Sequence, residues 1–432
     1  MMLQFPFGDG CLPLDLDDDR IKAVLAPRTP KTESRRDEAG IIRDALLNPI
    51  GSPRLSELAA GKRHIVVITS DHTRPLPGRL TLPPLLDEIA SGAPNAAVTV
   101  VVATGCHRGT TRRELEDKFG AGTLGRARFV VHDAFSEAAG LADLGPLPSG
   151  NPCVVNRVIV ETDLLVSEGF IEPHFFAGFS GGCKAVLPGC AAAKTVLANH
   201  SAELIADPRA RTGVLDRNRL HEDMLHAARR ANLAFIHNVA LDAGKRIVAA
   251  FAGDMEKAHA TGCAFVSASS GVQAAVADVV ITSNNGYPLD QNLYQTVKCL
   301  TAAEASCRSG GVIIGVAECR DGHGGEQFAA GLRGFASPAE ALRTIEKRGA
   351  DETLPDQWQL QILFRILSRF TVIMVTGPSV PSGVVEGLGM RKADSLPEAL
   401  RIAERITGNA NVQVTAIPDG VGVVVKAATF AA

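Results

Sequence analysis

The sequence predicts an α/β protein with two α/β domains, mainly parallel sheets and an active site in the cleft between them. Three observations lead there. Apolar runs such as HIVVITS from His64, AVTVVVATG and ADVVITSNN (Ala277–Asn285) are continuous rather than alternating, as in strands covered on both faces. Segments of helical pattern separate them, one near Leu82–Ile89 and one at TTRREL, where Thr111 and Glu114 fit a capping box. The chain, at 432 residues, is too long for one compact core, so two or three domains are expected.

In chain order, residues 1–60 are loosely patterned, with an acidic run at Asp15–Asp19 and a mixed-charge stretch at Lys31–Asp44, both read as solvated. FVVHDA, CVVNRVIVETDLLVSEGF and LAFIHNVAL continue the strands of the first series. A second series opens with ADVVITSNN and continues with GGVIIGVAE and FTVIMVTG, so a smaller second domain begins near Ala277. The last segment, NVQVTAIPDGVGVVVKA, reads as a hairpin turning at Pro418-Asp419-Gly420.

Composition narrows the function. Hydrophobic residues make up 46% and charged residues 21%, as in an ordinary soluble enzyme, and the net charge of −3 gives no reason to expect nucleic acid or an anionic membrane. No apolar run reaches membrane length and the N-terminus lacks a signal core, so a cytoplasmic protein is expected. Nine cysteines without a C-x-x-C pair make neither a disulfide framework nor a tetrathiolate zinc site.

The chemistry concentrates in VSEGFIEPHFFAGFSGGCKAVLPGCAAAKTVLANHS, from Val166 to Ser201. Gly178, Gly181 and Gly182 allow positive φ, and main-chain N–H groups in such a turn form a ready anion site. Lys184 follows, and a helical pattern is expected to carry His200 about four turns along. A P-loop would need Gly before the lysine and Ser or Thr after it; Cys183 and Ala185 stand there instead. Without the glycine turn, Lys184 would read as a solvated lysine at a helix start. Three further motifs, DHTRP (Asp71–Pro75), GCHRG and SNNGYP, each follow the end of a strand, where open α/β sheets bind ligands.

FIEPHFFAGFSGGCKAVLPG with the Asn199-His200 pair closely resembles the lactate racemase family, enzymes that carry a nickel–pincer nucleotide. DHTRP, TGCHRGTTRREL (Thr104–Leu115) and NNGYPLDQNLYQTVK (Asn284–Lys298) extend the resemblance. DGHGGEQF (Asp321–Phe328), LPDQWQLQI (Leu354–Ile362) and AIPDGVGVVVK (Ala416–Lys426) carry it over nearly the whole chain. In the family the last segment returns to the first domain. The expected division is therefore residues 1–276 plus 411–432, against 277–410.

The resemblance implies a racemase or epimerase that inverts C2 of a 2-hydroxy acid through a 2-keto acid. The Cα–H is not acidic beside a carboxylate, so hydride rather than proton removal is the economical route, and hydride transfer needs a cofactor. Two bases then exchange the hydroxyl proton, one for each face. His107 and His174 take that role: both lie in Gly/Pro-flanked loops rather than on an apolar helical stripe. His64, His132, His226, His237 and His259 read as structural or surface residues. By resemblance Lys184 tethers the nucleotide and His200 is the nickel ligand, as suits imidazole. A histidine at a helix C-terminus meeting the helix dipole is an equally good reading of His200 on its own. Arg74 and Lys298 are the candidates for the substrate carboxylate. Lys298 lies on one helical face with Tyr294 and Gln295. Asp71, Thr73, Ser180, Gly181 and Gly182 are expected at the cofactor, and Trp358 either walls the cleft or lies in the core.

Two positions depart from the family. Cys106 stands where Met is expected in lactate enzymes, which leaves room for a substrate bulkier than lactate, and Cys183 where Arg is common. Lactate, malate, aryl-lactates and sugar acids are all conceivable substrates. The partners expected are that small acid and the proteins that mature the cofactor. From other classes, a zinc hydrolase or lyase lacks an H-x-H, H-E-x-x-H or acidic metal cluster, and a non-catalytic carrier of nickel or nucleotide would bind without altering chirality.

Overall fold

The computed structural model describes residues 1–28, 37–137, 140–242 and 244–426. Lys31 to Arg36 of the mixed-charge stretch lie outside the described residues, as does the chain beyond Lys426. The rest of that stretch is not merely solvated. Asp37 accepts the Gly40 N–H and starts the helix Glu38–Leu47, which buries Ile42 and Leu46. The capping box of Thr111 and Glu114 is present and opens the helix Arg112–Phe119.

Two six-stranded sheets organise the molecule. The first has the order Ile247–Gly253, Leu233–Leu241, Leu164–Phe170, His64–Ser70, Ala97–Ala103, Arg128–Val131, parallel except for the first pair. Its central strands are buried on both faces, which is why their sequences show no alternation. The second runs Arg391–Ala393, Thr371–Thr376, Cys307–Ala317, Ala277–Ser283, Val414–Ile417, Ile21–Val24 and is wholly parallel.

The ends of the chain differ from expectation. Val414–Ile417 and Val424–Lys426 do not pair with each other as a hairpin; the former lies in the second sheet and the latter pairs in parallel with Gly271–Gln273. A register of parallel partners on both sides outweighs the local turn signal at Pro418-Asp419-Gly420. The N-terminal hairpin Met2–Phe7 and Gly10–Asp15 packs Leu3, Phe5, Leu14 and Leu16 onto the same second sheet. Ile21–Val24 and Val414–Ile417 thus lie in the second sheet, not the first.

The sheets are joined near the cleft by apolar contact. The helix Gln357–Leu367 is buried on nearly every side, and its Phe364 packs with Ala202, Ala341 and Ile345. Gln361 Nε2 donates to Ala202 O at 2.9 Å, which ties this helix to the chain just beyond His200. Among the described residues no helix is long and apolar enough to cross a membrane. Phe364→Ala should lower stability by about 3–5 kcal/mol, the usual loss for a fully buried aromatic. A thermal midpoint within a degree of the parent would contradict that packing.

Candidate active site

A cavity of about 690 Å³ lies where the carboxyl ends of the first sheet meet the helices of the second. Every residue singled out from the sequence for catalysis, substrate, cofactor or metal lines it, from Asp71, Thr73 and Arg74 to Tyr294, Gln295 and Lys298. Trp358 lines it as well, whereas His64, His132, His226, His237 and His259 do not. Of the three loops expected to frame one cleft, the two after His64–Ser70 and Ala97–Ala103 do so. Asn284–Pro288 does not. Asn284 instead accepts the Cys299 N–H and bonds Leu289 O, shaping the turn that delivers the helix Leu293–Ala303.

The first loop is an Asx turn: Asp71 Oδ1 accepts from Thr73 N at 3.1 Å and Thr73 Oγ1 at 2.7 Å. Its other oxygen, Oδ2, accepts from His107 Nδ1 at 2.7 Å. Asp71, expected at the cofactor, is thus bonded to the first candidate base. Burial pushes the Asp71 carboxyl up, but the charge and hydrogen bond of His107, with Arg74 and Thr73, hold it well below the usual carboxylate range. An ionised partner at Nδ1 leaves the lone pair of His107 on Nε2.

His174 is arranged the opposite way. The Ala177 N–H donates to its Nδ1 at 3.3 Å, so the neutral ring carries its proton on Nε2. Burial drives its pKa well down, and the charges of Lys184, Lys298 and Arg74 add to the effect. Its ring packs edge-on to Phe176 at 4.6 Å, Phe176 lies 5.1 Å from His200, and His200 lies 4.8 Å from Trp358. Lys184 Nζ sits 5.6 Å from the same Phe176 ring.

The glycine turn is built differently from an open amide cradle. The Ser180 N–H goes to Glu172 O at 2.9 Å and the Gly182 N–H to Asn238 Oδ1 at 2.8 Å. Gly181 and Gly182 have φ of 79° and 54°, and both are sterically required. A Cβ on Gly181 would lie 2.7 Å from Asn238 Oδ1, and one on Gly182 2.6 Å from the His259 ring. His259 Nε2 in turn bonds Ser180 O at 2.9 Å.

Lys184 sits in the short 3-10 turn Gly182–Ala185, and His200 caps a separate helix, Ala193–Asn199. They are not carried on one helix: the chain reverses through Leu187-Pro188 between them. Burial, followed by repulsion from Arg74, pulls the Lys184 amine down to about 7. Burial and Lys184 pull His200 down to about 3, so its imidazole is neutral at any physiological pH. His200 is 4% exposed and its Nδ1 is buried with no partner among the described residues.

On the opposite wall Tyr294 OH accepts from Trp358 Nε1 at 2.7 Å, so Trp358 both walls the cleft and fixes the tyrosine. Gln295 Oε1, Gln291 Nε2 and Gln359 Oε1 are buried and unpaired among the described residues, as is the Oγ of Ser167. Burial and Arg74 lower Lys298, while its neighbour Glu172 is raised by burial. Cys106 is half-buried in the cavity wall, its thiol pushed up to about 12 by burial. Cys183 is buried beside the turn, 3.8 Å from His221 Nδ1. Asn238, Glu172, Phe176, Gln291 and Gln359 escaped sequence reasoning. Asn238 had one usable signal, its place at the carboxyl end of a buried strand.

Two imidazoles with complementary hydrogen bonding lie in one cavity with Arg74, Lys184 and Lys298, an arrangement suited to an isomerase of the racemase type. The sequence pattern of the lactate racemase N-terminal domain matches residues 7–213, and that of the lactate racemase C-terminal domain matches residues 272–425. The lactate racemase of Thermoanaerobacterium thermosaccharolyticum is 52% identical over 98% of this chain and 99% of that protein. That of Lactiplantibacillus plantarum is 46% identical over the same shares. The structure of the T. thermosaccharolyticum lactate racemase apoprotein superposes with a TM-score of 0.93 at 51% identity, covering 99% of this chain and all of that one. A Thermotoga maritima protein shares the fold at a TM-score of 0.67 and 19% identity, over 90% of this chain and 98% of its own. The chain belongs to the lactate racemase family.

The lowered Lys184 amine is directly measurable. In protein without an adduct, trinitrobenzenesulfonate should modify Lys184 with half-maximal rate near pH 7, whereas an ordinary lysine titrates near about 10.4. Peptide mass spectrometry across pH reads this, and an ordinary lysine profile at Lys184 would contradict the burial argument.

Proposed function

We propose that this chain interconverts the enantiomers of lactate, or of a closely similar 2-hydroxy acid, with a nickel–pincer nucleotide attached through Lys184. The observation that supports it most is the pair His107 and His174 in one cavity, one imidazole with a free Nε2 lone pair and the other with Nε2–H. When bound, the nucleotide would supply the reversible hydride acceptor that no side chain provides.

The residues fit such a group. A cavity of about 690 Å³ falls within the range of about 300–1,000 Å³ that holds a drug-sized ligand, well beyond the needs of lactate alone. Lys184 offers an amine that is substantially unprotonated near neutral pH, as covalent attachment requires. His200 offers a neutral imidazole in the state a metal demands. Among the described residues no three His, Cys, Asp or Glu side chains converge on one point, so a nickel ion at His200 would complete its set with cofactor atoms. The same observation removes the donor set that a zinc hydrolase built from side chains alone would need. Asp71, bonded to Thr73 through one oxygen and to His107 through the other, is better placed to orient His107 than to grip the nucleotide directly. Ser180, Gly181 and Gly182 would support the tether by fixing the backbone before Lys184.

Arg74 and Lys298 would take the substrate carboxylate, the former as a fork and the latter as a point charge. His107 would accept the hydroxyl proton at Nε2, its imidazolium being stabilised by Asp71. His174, kept neutral by burial and by the cations around it, would present Nε2–H to the opposite side of the keto oxygen; a neutral imidazole is competent in that role. When the hydride returns to the keto carbon, the proton held by His107 would go back to the re-formed hydroxyl, so that each ring ends the cycle in the state in which it began. Gln295, Tyr294 and Trp358 would line the substrate's side, with Phe176 and Trp358 excluding water. The proteins that build the nucleotide would be functional partners.

Protein matured with the cofactor should bring either pure enantiomer of lactate to a mixture of both, followed by chiral chromatography across lactate, malate and aryl-lactates. Adduct-bearing protein that scrambles none of them would be a carrier, and the proposal would fail. His174→Ala should retain the adduct by intact mass yet lose about 10²–10⁴-fold in rate, the usual contribution of a positioned acid–base group. Lys184→Ala should lose the adduct altogether; an unchanged mass increment would move the attachment elsewhere.

A further inference from the structure

The helix Arg112–Phe119 touches both motif loops of the first sheet from outside the cavity. At its start Glu114 holds Arg108 through both guanidinium nitrogens, at 3.0 and 2.6 Å, and the preceding Thr110 meets His72 Nδ1 at 3.1 Å. At its end Lys118 Nζ donates to Asp71 O and to Arg74 O, each at 2.8 Å. The turn's own bond, Arg74 N to Asp71 O, is long at 3.4 Å. The ammonium therefore makes the two shorter bonds at both ends of the turn. It also lies within electrostatic reach of the Asp71 and Glu168 carboxylates, which hold its charge against the burial that lowers it.

We propose that Lys118 is a positioning residue for the reaction: by clamping the carbonyls of Asp71 and Arg74 it fixes the partner of His107 and the carboxylate fork together. One bridging cation couples the base to the substrate anchor, so that the two move as a unit. The idea rests on the roles given above to His107 and Arg74. A lysine serving general stability would show no such coupling.

Lys118→Met tests it, with Lys118→Arg as the conservative variant that can still donate to both carbonyls. In matured enzyme with an unchanged adduct mass, Lys118→Met should lose about 10²-fold in kcat, the scale of a misplacement of about 1 Å, and raise the KM for lactate. Lys118→Arg should recover most of both. A second readout needs no cofactor. The proton shared by His107 Nδ1 and Asp71 should give a far-downfield signal in ¹⁵N-histidine-labelled protein, lost in Lys118→Met and kept in Lys118→Arg. Folded Lys118→Met with kcat, KM and that proton all unchanged would overturn the proposal. So would a loss of rate with the proton intact. If the parent enzyme racemises nothing, the functional reading fails, while the proton signal still decides the clamp.

Discussion

Burial and the crowding of positive charge in one cleft set the chemistry of this molecule. Arg74, Lys184 and Lys298 line one cavity; of the negative groups near them, Asp71 is bonded to His107, while Glu172 is raised by burial and feels Lys298, Arg74 and Lys184 together. Like charges at low dielectric disfavour one another strongly, so the softest of them lose their protons first. Burial, with that field added to it, leaves the Lys184 amine nucleophilic near neutrality and keeps His174 uncharged. The same field receives an anionic substrate. Neutralising the cleft would therefore change attachment, proton transfer and binding together, because each draws on the same imbalance.

Holding that charge requires walls that do not relax. The second sheet includes strands from residues 21–24 and 414–417, so both ends of the chain are threaded through the half that carries Tyr294, Gln295 and Lys298. The Phe364 cluster and the Gln361 bond press the Trp358 helix onto the segment after His200. Rings of His174, Phe176, His200 and Trp358 then pack in sequence, so apolar contact across the cleft positions two imidazoles that burial keeps uncharged.

Much of this was legible in the sequence, because the signals were local. Continuous apolar runs gave the parallel strands, and Thr111 with Glu114 gave a helix start that is present in detail. The motifs brought every expected side chain to one cavity. What could not be read was long-range. Val414–Ile417 looks like half of a hairpin until partners 135 residues or more away in sequence claim it, since parallel pairing leaves no mark on the turn that follows. The bond of Asp71 to His107 joins residues 36 apart. Asn238 and Phe176 are ordinary residues whose importance comes from what folds against them.

The glycine turn shows how a correct motif can carry a different physical meaning. Its glycines were expected to open amides toward a phosphate, yet the Ser180 and Gly182 amides are bonded within the protein. The small residues are needed because Asn238, Phe170 O and the His259 ring approach from behind, too close for any Cβ. The turn is therefore a rigid pedestal, and its product is the placement of the next residue but one, Lys184. Beside that turn the cavity presents side-chain cations whose charge is adjustable. A site that must accept an anion, hold it beside a reactive amine and keep an imidazole neutral is better served by charges whose protonation answers to one another.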